Sequence, residues 1–398
     1  MEFTFSGKAK TLTLVLMAVG VVALVLGFVT DHSDHHQRWW ANLLVNGFFF
    51  FAIALGALFF YALQYAAEVG WSSQVKRIFE AMYAYLPVGA VILVLIFLGA
   101  TMHWNHLYHW MDPETIDPAS PKYDSIIAKK SAYLNPTFFW ARTLVYLTVF
   151  LVFSAWFRKK SLEEDRVGGT TIHYLVYRRS ALFLVFFAVF SSTLSWDWIM
   201  SIDTHWFSTL FGWYVFSGMW VGAMIFATLL TLWLKGKGYL PHVNKSHIHD
   251  LGKWMFAISM LWSYLWVSQF LLIWYSNIPE EVTYFIARLF TDYKVPFLTM
   301  FFVNFALPFY VLIARDAKRN TTFLVGVGIL IFIGHFLDTY LLIIPGTMFN
   351  HNHFGLMEVG MFLGFLGLFI FTVLRALSKA PLMPVNHPFI KESEHHNI

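Results

Sequence analysis

Apolar residues gather in ten runs of about the ~20 residues that cross a bilayer, and the polar residues fall between them. The runs cover roughly 11–30, 41–65, 82–102, 136–157, 180–202, 208–234, 250–275, 294–314, 322–345 and 354–378. In lipid every backbone polar group needs a partner, so only helices or closed barrels span, and these runs lack the alternation of barrel strands. The expected fold class is an all-α polytopic membrane protein with ten transmembrane helices, forming one membrane domain over 1–398. No soluble domain is expected, because the longest connection is 103–135 and 379–398 reads as a short polar tail. Lys8 and Lys10 precede the first run as they would in a secretion signal. That run is too long for a signal core and ends Gly-Phe-Val-Thr-Asp without a small-x-small site, so a membrane helix is expected there too.

Composition agrees: of 398 residues, 58% are hydrophobic and only 13% charged. The charges orient the chain. Both ends and the even-numbered loops, with their flanks, hold 20 of the 27 Lys and Arg, the odd-numbered loops hold 6, and Arg142 lies within a span. By the positive-inside rule both termini are cytoplasmic. The basic excess is this inner belt, including Arg158, Lys159, Lys160, Arg178 and Arg179. A nucleic-acid partner is not expected, since that would need a basic folded face.

The absence of cysteine excludes thiolate iron–sulfur ligation, covalent c-type haem and thiol redox chemistry. Haem b held by two histidines is excluded as well, because only His335 lies well inside a span. No metal or cofactor is expected on this chain's own ligands, so electrons, if any move, leave through neighbours. Other histidines cluster in the outer loops: His32, His35 and His36; His103, His106 and His109; His205; His351 and His353. The middle set is spaced three apart and is expected to continue helix three by a turn or two. Three such side chains fan too widely for one metal, and packing against a partner is the plainer reading.

Ionisable residues inside spans are costly and are functional-site hypotheses by default. Asp197 stands between Trp196 and Trp198 at the outer end of helix five. His335 sits near the midplane of helix nine, with Asp338 three residues on and about 10 Å from the outer end. That spacing puts the two on one face, within reach of sharing a proton. Glu358 enters helix ten and Arg142 enters helix four, so all five groups fall in the outer half. The asymmetry suggests a polar chamber opening outward, with Asp197, His335, Asp338 and Glu358 handling protons and Arg142 as counter-charge. Ser263, Tyr264, Ser268 and Gln269 on helix seven, with Asp203 and His205 beyond helix five, are candidates to line a quinol or water path. Asn304 and Pro308 mark a kink in helix eight. The inner half holds no comparable acid or histidine, so no complete path across the membrane is expected. Ion pairs that only fix helix packing would explain the same residues.

The stretch Trp-Asp-Trp-Ile-Met-Ser-Ile-Asp-Thr-His-Trp-Phe-Ser-Thr-Leu-Phe-Gly from Trp196, and Ser-Gln-Phe-Leu-Leu-Ile-Trp-Tyr-Ser-Asn-Ile-Pro-Glu-Glu over 268–281, resemble the NrfD/polysulfide-reductase family of membrane subunits. Within it the second such subunit of bacterial alternative complex III is most similar. The resemblance covers essentially the whole chain. It implies two four-helix bundles, helices two to five and six to nine, with helices one and ten peripheral. It also implies residence in the bacterial inner membrane within a respiratory complex that oxidises quinol, menaquinol included, and reduces a cytochrome c or terminal oxidase. Partners would be a paralogous NrfD-like subunit, an iron–sulfur subunit and haem c subunits, the last two carrying the redox centres. Quinol is expected to bind whichever paralogue touches the iron–sulfur subunit. By residues alone, a secondary transporter or a structural membrane scaffold stays open. The glycines Gly326, Gly328 and Gly334 crowd one helix without a matching broken helix in the other half, as paired transporter sites would require.

Overall fold

The structure is a computed structural model that describes residues 3–5, 7–349 and 354–397. Regular structure among the described residues is all helical. Ten helices are long and apolar enough to cross a membrane: Lys8–Thr30, Asp34–Ala66, Lys76–Thr101, Pro136–Val167, Thr171–Ile202, Leu210–Gly236, Lys245–Ser276, Lys294–Leu312, Thr321–Met348 and Leu356–Leu377. They are numbered one to ten here. Each expected run lies within or close to one of them, but helices three, four and five reach several residues further on the basic face. The apolar signal stops at the edge of the hydrocarbon, whereas helical hydrogen bonding continues through good helix formers such as the Lys, Leu and Glu of 159–164.

The expected two-bundle architecture is present. Helices two, three, four and five close one ring, and six, seven, eight and nine close another. Helix two is the shared wall, packing against six and nine, and helix five also touches six. Its most apolar window is 94% buried, against 17% for helix one, which separates the central helix from the peripheral one. Helices one and ten pair outside the rings. They cross at Gly20 and Gly364, so closely that a Cβ on either would sit 2.3 Å from the other's Cα. Only small residues permit such an approach.

Helix eight contains a π-helical segment, Phe302–Ala306. Pro308 cannot donate to the carbonyl of Asn304, which frees the ladder to widen there. Helix three does not continue through the histidine triplet as the spacing suggests. Trp104 N donates to Gly99 O and His103 N to Ala100 O, with His103 left-handed at φ 57°. This Schellman closure stops the helix at Thr101 and sends His103, His106 and His109 into the outer loop. A short outer helix, Pro279–Leu289, bridges helices seven and eight. Its Pro279 fits the first turn, and Glu280 and Glu281 complement the helix dipole.

Candidate functional site

The last helix of each bundle places one buried aspartate in its outer half, and the two are built differently. In the second bundle Asp338 is 5% exposed. One carboxylate oxygen accepts from the hydroxyl of Tyr214 on helix six, and the other from Trp262 Nε1 on helix seven at 3.0 Å. Both donors are neutral. His335 Nδ1 lies 4.0 Å from Asp338 Oδ2, so the pair is adjacent but not hydrogen-bonded, contrary to the expected shared proton. The spacing put both on one face, but Tyr214 and Trp262 occupy the carboxylate. His335 packs edge-on against Trp262, and neither ring nitrogen has a hydrogen-bond partner among the described residues.

Two small cavities meet at Asp338. One, about 10 Å³, is lined by Tyr214, Gln269, Tyr284, Arg288 and Asp338 among others. The second, about 20 Å³, lies towards helix two and is lined by His335, Asp338 and Thr339 with apolar residues of helices two and six. These volumes are near the ~10–15 Å³ one water requires, and polar groups line both. Arg288 went unnoticed in the sequence because it lies in a connection. It is 1% exposed and donates to Leu341 O, Tyr284 O and, at 3.5 Å, to Asp203. Its guanidinium stacks on Tyr284 at 3.4 Å. Asp338, Gln269, Arg288 and Asp203 thus form one outward-leading polar strip.

Asp197 of the first bundle is a closed ion pair. Arg142 grips it with two bonds, Nε to Oδ2 at 2.8 Å and Nη2 to Oδ1 at 2.9 Å, and Tyr146 adds a third at 3.0 Å. The rings of Tyr133 and Phe138, edge to face with each other, both pack against the guanidinium, at 3.9 and 4.1 Å. Arg142 therefore neutralises Asp197, as its depth suggested one carboxylate would be. Glu358 is similarly committed. It forms a two-bond pair with Arg38, accepts from Asn42 and caps its own helix through Gly355 N. Arg38 precedes the second apolar run and so reads as a loop charge in the sequence.

The remaining lining candidates divide. Gln269 faces the cavity. Ser263 spends its hydroxyl on Ser259 O, which serves helix seven itself. Tyr264 is 67% exposed on the outward face of the helix, so it lines no interior path. Ser268 is half-buried. Asp203 belongs to the Arg288 strip, but His205 is turned away and pairs with Asp124 at 2.6 Å, joining two outer loops. His35 and His106 rings touch at 4.3 Å. His351 and His353 lie outside the described residues.

Beyond the ends of the apolar runs on the basic face, the helices carry a buried charged cluster that the spans did not suggest. Lys76, Arg77 and Glu80 open helix three, Arg158, Glu164 and Asp165 end helix four, and His173 starts helix five. Their side chains converge. Lys76 donates to Glu164 at 2.6 Å and to Tyr65 at 3.0 Å, and Arg77 pairs with Glu80 and Asp165, while Arg158 also reaches Glu80. Three cations balance three carboxylates, as burial demands. His387 of the tail folds against Tyr65 and His173. Carboxylate and imidazole atoms of Glu164, His173 and His387 lie within 4.8 Å of one another. The sequence concealed the cluster because these residues sit in two charged connections and a tail, which pattern alone assigns to water.

Compared with protein-family models and with curated proteins, the chain finds no match. The fold and these buried groups define a class: a multi-pass helical membrane protein with two four-helix bundles.

Proposed function

We propose that the chain is a membrane subunit of a respiratory quinol-oxidising complex, of the NrfD/polysulfide-reductase type, in which Asp338 is the proton-exchanging group of the second bundle. The observation that carries this reading is that two water-sized cavities, each with polar groups in its lining, share a buried carboxylate that has only neutral donors. A carboxylate held by Tyr214 and Trp262 can gain and lose a proton without breaking an ion pair. His335, with both nitrogens free, supplies the next site inward, and the Gln269–Arg288–Asp203 strip leads outward. Acid–base groups reached through single waters are the parts a proton relay needs. The motifs beginning at Trp196 and Ser268 support the reading through their resemblance to that family, which implies haem c and iron–sulfur centres on partner subunits. The paralogous NrfD-like subunit and a terminal oxidase would complete the assembly. Quinol or menaquinol would meet this chain, or its paralogue, at the outer side of the bacterial inner membrane.

Asp197, Glu358 and Arg142 take a different role from the one expected of an open proton-handling chamber. Each carboxylate is occupied by an arginine, and the pairs fix helix five to four and helix ten to two. The test is Asp338→Asn in the intact complex, read as quinol-driven reduction of cytochrome c and proton release from vesicles. Normal assembly with lost turnover or coupling supports the role. Unchanged rates and coupling remove Asp338 from the mechanism.

A further inference from the structure

A large cavity lies far from Asp338, on the basic side. It is a groove of about 700 Å³ between the outer pair, helices one and ten, and helices six and nine. Its walls change character with depth. At the mouth stand Lys8, Lys237, Thr4, Trp233 and Tyr239, whereas the deep end is closed by Leu16, Phe226 and Phe362 with other aliphatic and aromatic side chains. Along helix one, Lys8 to Leu16 is about 12 Å, and along helix six, Lys237 back to Phe226 is about 16 Å. Half of a ~30 Å hydrocarbon core is about 15 Å, so the groove is one leaflet deep.

We infer that this groove holds an anionic phospholipid of the basic-side leaflet, an acyl chain in the cleft and its phosphate between Lys8 and Lys237. Charge complementarity selects the headgroup. Both lysines are exposed, and neither has a carboxylate partner among the described residues. Neighbouring Lys235, by contrast, is spent on the carbonyl of Val243. Trp233 and Tyr239 sit at the mouth, the level where amphipathic rings favour the interface. The N-terminal segment closes over them, with Phe3 edge-on to Trp233 and to Tyr239 at 6.1 and 5.2 Å. The depth profile disfavours a quinone as occupant. A quinone head carried to the deep end would find no hydrogen-bond donor there, and Thr13, midway, already donates to Lys10 O.

A lipid in this position would fill the gap beside helix one, which otherwise holds to the molecule chiefly through helix ten. The inference does not depend on the role of Asp338, and its experiment reads lipid rather than turnover.

The full chain is purified in detergent, washed until bulk lipid is gone, and its extracted lipids are quantified by mass spectrometry. About one anionic phospholipid per chain is expected to remain. The exposed pair Lys8→Gln and Lys237→Gln should lower it about tenfold or more, since each basic residue near a membrane surface adds measurable attraction to anionic lipid. Leu12→Trp, which fills the cleft from an exposed position, should lower it as well. All variants should remain monodisperse on size exclusion. Retention of anionic lipid unchanged in the double lysine variant overturns the inference. So does recovery of a quinone in its place, or capture of a polypeptide rather than a lipid by a photo-crosslinker at Leu12.

Discussion

Asp197 and Asp338 both lie in the outer halves of the final helices of two four-helix rings, yet one is bound to a cation and the other is not. Arg142 holds Asp197 with two bonds and Tyr146 adds a third. Asp338 has the hydroxyl of Tyr214, the indole of Trp262 and a water-sized cavity on each side. A charge-assisted pair is strong and geometrically fixed, so it suits holding helices in register. A carboxylate with neutral donors can change protonation without abandoning a buried partner. The same residue type thus does opposite work in the two bundles, and the partner decides which.

The contrast can be broken most forcefully at Asp197. Asp197→Ala leaves Arg142 without its carboxylate, and losing one member of a buried pair costs about 3–5 kcal/mol. The expected result is poor assembly and a lowered melting temperature, with the double variant Asp197→Leu and Arg142→Met restoring much of both. A stable, active single variant would show that the pair is not structural. Asp338→Asn should do the reverse, with assembly preserved and coupled turnover falling about a hundredfold or more, within the range ascribed to positioned acid–base groups. A finer test deletes the same hydroxyl at each acid. Tyr214→Phe and Tyr146→Phe should each cost about 1 kcal/mol, but only Tyr214→Phe should displace the pH–rate profile. Equal displacement by both would erase the distinction.

The smallest effect concerns the basic face. Burial, with Lys76 nearby, pushes the His387 imidazole down to about 3. An unfolded histidine titrates near ~6.5. Between these values the undocked tail binds the extra proton, so the stability that His387 contributes is present above about 6.5 and is lost as pH falls towards 3. The protection of backbone amides over 381–397, taken relative to their intrinsic exchange at each pH, should therefore fall on acidification below about 6. His387→Gln should flatten that response, and an unchanged slope would mean that His387 does not anchor the tail.

Much of the framework was legible in the residues. Ten apolar runs gave ten spanning helices, and the cost of charge in lipid singled out Arg142, Asp197, His335, Asp338 and Glu358. The grouping of those five was less legible. Depth along a helix follows from 1.5 Å per residue, but which neighbour a side chain meets depends on how helices pack. Arg38, which answers Glu358, and Arg288, which lines the Asp338 cavity, lie before or between the apolar runs and read as ordinary loop charges. The inner network was invisible for the same reason.

The sequence by itself determined that this is a membrane protein, how many times it crosses and which side is basic. Hydrophobic length and charge are one-dimensional quantities, and the bilayer reads them directly. Only the tertiary structure decided that Asp197 is paired and Asp338 is not, that His335 stands beside its aspartate without bonding to it, and that Lys76, Glu164 and His387 meet. Those facts rest on contacts between residues separated by tens to hundreds of positions. Helix packing sets such contacts, and hydropathy does not record them.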